Sequence, residues 1–401
     1  MSRSALLRSA CVDARPLGAP DPHVLSSIDR EGDWQKSAAS QPTTSSQSLQ
    51  PHQTMVASLP DDWRTPRPRD EGLPPAKYLG RPHVGQLEHT SDVKALAWSP
   101  DGTKLAAGGY DKKIIVWDVS SKKQVLDVDV GDWVECLDWS GDGQTLGCGG
   151  GFDKQGKLFD AEDGELQETL DHGGIVYACA FAPTQPVFAC GCFEKKVTLW
   201  HKDRGHLLRS LSCDCVLKAL AWRPDGSMLA SGGFDAAVTV WRSDASSTKQ
   251  PEEIVWRSKL DSVAADCRGL AFTPDGSILA SCDWADKVVG FDAATGKRLW
   301  EIKNPAEQHF FALAFSPEGD VFVCGGWDFR ATMYRLEDRK KLASEYIGPE
   351  TEDHVGGQTV RSIKFAPDGQ TVAFCSDDRS VHLWARDAAT RVTAADEVVV
   401  E

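Results

Sequence analysis

Four basic side chains, Lys94, Lys218, Arg268 and Arg361, recur at one offset in this chain, each four residues before an aromatic residue. Tyr177 and Phe311 take the same place in two further copies, and Glu135 in one. Brought together, such cations would hold a carboxylate or phosphate through charge-assisted hydrogen bonds, and the two rings would add apolar contact. A second set follows another offset. Tyr110, Phe152, Phe193, Phe234, Trp284 and Trp327 each precede by one residue a position filled in turn by Asp111, Asp153, Glu194, Asp235, Ala285 and Asp328, and Asp377 with Asp378 makes a seventh pair. Rings at a position that ordinarily tolerates polar residues have two readings: packing against a neighbouring unit, or anchors for a partner. Catalysis has less to work with, because the chain shows no nucleophile motif, phosphate-binding loop or metal-ligand spacing.

The 401 residues include 44 Lys+Arg against 59 Asp+Glu, a formal charge of −15. Residues 1–79 carry nine of each sign, so the whole deficit lies on 80–401. A domain this acidic repels duplex phosphate, which argues against nucleic acid as a partner. The longest apolar stretch, Ile175 to Cys192, is broken by Pro183, Thr184, Gln185 and Pro186, short of the ~18 clean residues of a membrane helix. No membrane partner is expected. None of the 12 cysteines forms a C-x-x-C pair. The two C-x-C pairs, Cys190/Cys192 and Cys213/Cys215, are weighed against a periodic reading, since Cys148, Cys190, Cys282, Cys324 and Cys375 recur at nearly one place in a repeat, where a thiol is a small core residue. Neither metal nor cofactor is expected, and a reducing compartment fits: the cytoplasm first, the nucleus second. The first dozen residues, with Arg3, Arg8 and no acid, weakly resemble an organelle transit peptide, a pattern that Asp13 ends. Residues 1–77, rich in Ser, Pro, Gln and Arg and without an apolar period, are expected to be disordered.

The elements that must position the two sets come from an internal repeat. An aromatic and a Pro-Asp-Gly-like turn recur at Trp98, Trp139, Phe181, Trp222, Phe272, Phe315 and Phe365. Proline presets the turn, Asp favours its third position, and Gly accepts the left-handed conformation that closes a short hairpin. A second aromatic follows 19 residues later at Trp117, Trp200, Trp241, Phe291, Tyr334 and Trp384, and 20 later at Phe159, where Gly149-Gly150-Gly151 adds a residue. Alternating stretches such as Ile114-Ile115-Val116-Trp117 read as strands, and no helical period persists. Each unit has room for four short strands, too small a sheet to bury both faces, so the copies must stack around an axis.

These residues resemble the WD-repeat β-propeller family, through Trp117-Asp118 closing a third strand, the Pro-Asp-Gly turns, and the acid six residues before the second aromatic. The resemblance implies an all-β fold: a seven-bladed β-propeller of four-stranded antiparallel blades over 78–390, after the disordered extension and before a short tail, 391–401. It implies that the acids Asp111, Asp153, Glu194, Asp235, Asp328 and Asp378 lie in the turn between second and third strands and tie to a His before the first strand. Only His89 and His172 match that His, while Gly205-His206 is out of register. Closure is expected from residues about 79–88 as the outer strand of blade seven, with 391–400 as the competitor. In family geometry the rings before the acids and the cations of the first set share the top face, near the mouth of the central channel. Two longer connections, Arg242 to Pro251 at the bottom and Gly348 to Gln358 on top, are candidate specificity loops.

The function so implied is a non-catalytic scaffold that binds other proteins or peptide segments, here an acidic or phosphorylated one, as a monomer within a larger complex. Two alternatives remain open. Trp327-Asp328-Phe329-Arg330 spells a motif of ubiquitin-ligase substrate receptors, and Phe291 to Trp300 resembles one repeat of quinone-dependent propeller enzymes.

Overall fold

The computed structural model describes residues 83–243, 254–260, 266–347 and 359–386. The expectations for residues 1–77, for the tail, and for nearly all of the two long connections lie outside the described residues. The described strands form seven four-stranded antiparallel sheets. Blade one spans 93–129, blade two 136–171, blade three 176–212, blade four 217–259, blade five 267–303 and blade six 310–346. Blade seven takes its three inner strands from 360–385 and its outer strand from His83–Glu88, which pairs with Ser380–Ala385. Closure by the N-terminal strand is therefore as expected. The last blade is thus completed by the strand that precedes the first, so no open edge is left at the seam.

The repeat's two aromatics do the packing. Second aromatics end the third strands and are buried, from Trp117 and Phe159 to Phe291 and Trp384. First aromatics end the inner strands, and two of them reach the preceding blade, where Trp98 Nε1 donates to the Lys364 carbonyl at 3.3 Å and Trp222 Nε1 to Ala180 at 3.2 Å. Apolar clusters run from each blade into its neighbour, as between the Ala95/Ile114 face of blade one and Val134, Leu137 and Trp139 of blade two. Burying both faces of every sheet in this way is what a single small sheet lacks. The five repeat cysteines, Cys148, Cys190, Cys282, Cys324 and Cys375, are all buried on second strands. Bottom turns keep the Pro-Asp-Gly pattern, with Gly102, Gly226, Gly276, Gly319 and Gly369 at φ between 68° and 74°.

Candidate functional site

The turns between second and third strands share one conformation. In all seven, the residue after the acid position is left-handed without being glycine: Lys112, Lys154, Lys195, Ala236, Asp286, Phe329 and Arg379, with φ of 53–68°. That conformation is costly for residues with a Cβ and persists where local bonds fix it. The acid supplies the bond. Asp111, Asp153, Asp235, Asp328 and Asp378 each accept the backbone N–H two residues on, at 2.9–3.3 Å. The acid's first role is thus within its own turn, and the expected tie to a preceding His is found in blade one, where His89 Nδ1 stands 3.2 Å from Asp111. His172 departs from expectation: its Nδ1 stands 3.4 Å from the Thr198 hydroxyl, while Glu194 lies 3.7 Å from Lys196. Burial pushes His89 below the usual imidazole range and His172 down to about 4.

Six of the seven turns are also tied to the start of the inner strand of their blade. The N–H of the residue before the acid donates to the carbonyl six residues before the first aromatic: Tyr110 to Asp92, Phe193 to Ile175, Phe234 to Val216, Trp284 to Asp266 and Trp327 to His309, at 2.9–3.2 Å. Blade two has an extra glycine there, and the Asp132 carboxylate takes over, accepting from Phe152 at 2.6 Å and Asp153 at 2.9 Å. The rings of the second set are therefore presented by pinned backbone on one rim, facing the first set.

On that rim the two sets interleave. Lys218 Nζ stands 3.2 Å over the Tyr177 ring and 5.3 Å from Phe234. The Arg268 guanidinium lies 4.3 Å over Trp284 and about as far from Phe234 as from Phe311, at 5.5 and 5.4 Å. Arg361 covers Phe311 at 5.1 Å, and Lys94 covers Tyr110 at 4.3 Å. Acids meet the same cations. Asp377 accepts from Arg361 Nε and Nη2 at 2.8–3.0 Å and from Lys94 at 3.1 Å, joining blades seven and one, and Arg268 stands 3.6 Å from Asp266. Burial raises the carboxyls of Asp92 and Asp266.

Of the six predicted rings, Phe152, Phe193 and Phe234 are 40, 43 and 39% exposed, whereas Tyr110, Trp284 and Trp327 are half-buried against other rings. The packing reading thus holds for Tyr110, Trp284 and Trp327, while Phe152, Phe193 and Phe234 keep exposed faces. Two members of the rim escaped the reading of the sequence. Trp133 fills the gap between Tyr110 and Phe152 at 5.2 and 5.0 Å, and His309 that between Trp284 and Trp327 at 4.6 and 4.9 Å. Both stand six residues before the first aromatic, a register that could have found them. His309 lies 3.3 Å from Asp286, and burial lowers its ring below the usual range. Among the described residues no group of three or more His, Cys, Asp or Glu is placed to hold a metal ion.

A family model described as WD domain, G-beta repeat matches residues 82–118, 164–201, 205–242, 298–335 and 349–385. The chain is 34% identical over 104 residues, 25% of its length and 21% of the relative's, to WD repeat-containing protein slp1 of Schizosaccharomyces pombe. It is 25% identical over 273 residues, 66% of its length and 37% of the relative's, to actin-interacting protein 1 of Drosophila melanogaster. To serine-threonine kinase receptor-associated protein of Gallus gallus it is 28% identical over 123 residues, 31% of its length and 32% of the relative's. The matches span well under half of each relative.

Proposed function

The chain belongs to the WD-repeat β-propeller family, and from that premise we propose that it is a non-catalytic protein-interaction scaffold whose top rim takes an acidic or phosphorylated peptide segment. The observation that carries this reading is the arc of Lys218 and Arg268 laid over Tyr177, Phe234, Trp284 and Phe311. Cations held on aromatic faces are pre-oriented, so a carboxylate or phosphate gains charge-assisted bonds with little further ordering of side chains. The exposed faces of Phe234, Phe193 and Phe152 supply apolar anchoring beside them. Lys94 and Arg361, held on Asp377, orient the rim at the other side of the mouth. At ~0.15 M salt the Debye length is about 8 Å, so these local cations outweigh the distant negative charge of the domain.

The residues that suggested the two alternatives have structural roles in their blades. In Trp327-Asp328-Phe329-Arg330, Trp327 joins the ring cluster, Asp328 closes the turn, Phe329 is the left-handed residue, and Arg330 lies 5.1 Å over Tyr346. In the Phe291 to Trp300 segment, Phe291 is core, Asp292 caps the turn through Thr295 at 2.8 Å, and Trp300 stacks on Phe322. A reducing compartment, cytoplasm or nucleus, suits the buried thiols.

The test is affinity purification with mass spectrometry of wild type against the Lys218→Glu/Arg268→Glu variant. The main partner should be lost while circular dichroism is unchanged. A partner kept by that variant, yet lost when residues 243–253 are altered, would move the site to the opposite face and overturn the proposal.

A further inference from the structure

Blade four carries the repeat's acid, Asp235, and its third-strand Trp241, but Cys213 stands nine residues before the first aromatic, where blades one and three have His89 and His172. In those blades the imidazole sits between the acid turn and the third strand. The His89 ring centroid is 6.2 Å from that of Trp117, and His172 is 5.4 Å from Trp200, edge on, with Thr198 at its Nδ1. In blade four a cavity of about 90 Å³ opens among Cys213, Asp235, Thr239, Trp241 and Arg257. Thr239 and Trp241 are the register counterparts of Thr198 and Trp200, which flank His172 in blade three, and Asp235 that of Asp111 beside His89 in blade one, so the walls that hold an imidazole in those blades are present here without one.

We propose that this cavity is a binding site for a small, neutral, five-membered nitrogen heterocycle of the imidazole type. The volume is several times what one water needs, and the lining is divided in the way such a ring requires. The Trp241 face with Leu217, Ala237 and Ile254 offers apolar walls, which water would satisfy poorly. Asp235 at one edge can accept the ring N–H, and the Thr239 hydroxyl can donate to the other nitrogen, the pairing seen between Thr198 and His172. Trp241 Nε1 is already bonded to Ser231 at 2.8 Å, which fixes the indole as a wall. Arg257 bridges Asp214 and Asp235, which holds the carboxylate in place. The exposed Asp214 and half-buried Cys213 beside it give the ligand a way in. Both native rings in the equivalent pockets are kept neutral by burial, so the neutral heterocycle is the form that fits.

The probe is imidazole itself, titrated against the full chain at pH 8 while thermal unfolding is followed by circular dichroism. The melting temperature should rise with the logarithm of one plus the ratio of imidazole to its dissociation constant, by about 2 °C at ten times that constant. Thr239→Val should weaken the apparent affinity by at least about threefold. Cys213→His should melt higher than wild type without imidazole and lose the response. Should Cys213→His not fold, Cys213→Leu, which fills the space with hydrocarbon, must abolish the response in its place. No rise of that logarithmic form in wild type, an unchanged affinity in Thr239→Val, or an equal rise in the cavity-filled variant overturns the proposal.

Discussion

The Asp283 carboxylate accepts the backbone N–H of Ala285 at 2.9 Å, and its other bond, from the Lys287 N–H, is 3.0 Å long. Blade five lacks the repeat's acid at 285, and the acceptor its left-handed turn needs comes from two residues earlier, on the end of the second strand. The substitution has a consequence for ionisation. An acid in the usual place keeps contact with solvent, whereas Asp283 is 1% exposed, and burial pushes its carboxyl up to about 6 against the N–H groups that favour the charge.

The first prediction concerns Asp283→Asn, which keeps the accepting oxygen and removes the charge. Between about pH 4 and 6 the wild-type native state holds a proton at Asp283 that the unfolded chain has released, so wild-type stability falls as the pH rises through that window. The amide has no such term. Its stability relative to wild type should climb across the window and level off above about pH 6, by about 3 kcal/mol in all. Urea unfolding of both proteins at pH 4.5, 5.5 and 7 checks this. A difference that stays constant with pH would place the Asp283 carboxyl in the ordinary range.

The seven blades were legible because the signals that define them are local: two aromatics at a fixed distance, with turn residues whose backbone preferences are intrinsic. Closure by His83–Glu88 was legible for the same reason, since Leu87-Glu88-His89 repeats the Leu170-Asp171-His172 context that ends another outer strand. The rim was legible only in part. Register shows which residues share a height on the propeller, not which charges pair there, and the Asp377 bonds to Lys94 and Arg361 join residues 283 and 16 positions apart. Trp133 and His309 were missed because one is aromatic and the other titratable at a register that elsewhere holds Asp92, Ile175, Val216, Asp266 and Thr359. Apart from Asp, which stands there twice, no residue type repeats at that register; what recurs is the backbone carbonyl.

The second prediction tests the seam. Asp377, Lys94 and Arg361 have side chains only 11, 8 and 12% exposed, so removing the shared acid leaves two nearly buried cations facing each other. Asp377→Ala should cost about 3 kcal/mol. Lys94→Met keeps the bidentate Arg361 pair and buries a stem of similar length, and should cost under about 1 kcal/mol. Urea midpoints of the two variants decide it. Equal losses would show that Lys94, not the arginine, holds the acid, and no loss from Asp377→Ala would show that the seam rests on the His83–Glu88 strand alone.

The third prediction turns on Gly290, which stands where the other blades have Val116, Leu158, Leu199, Val240, Met333 and Leu383. A Cβ on Gly290 would lie 2.2 Å from Trp300 Cε2. The indole of Trp300 has taken the space of the missing side chain and carries on to stack against Phe322 of blade six, with centroids 5.5 Å apart and planes at 23°. Gly290→Val should therefore displace the indole and cost about 3 kcal/mol as overpacking. Trp300→Leu alone should cost a similar amount by leaving a void between the blades. In the double variant the valine occupies what the smaller leucine vacates, so the combined loss should fall short of the sum by about 1–2 kcal/mol. Chemical denaturation of the four proteins in one cycle measures that coupling, and strictly additive losses would mean that valine and indole do not compete for the same volume.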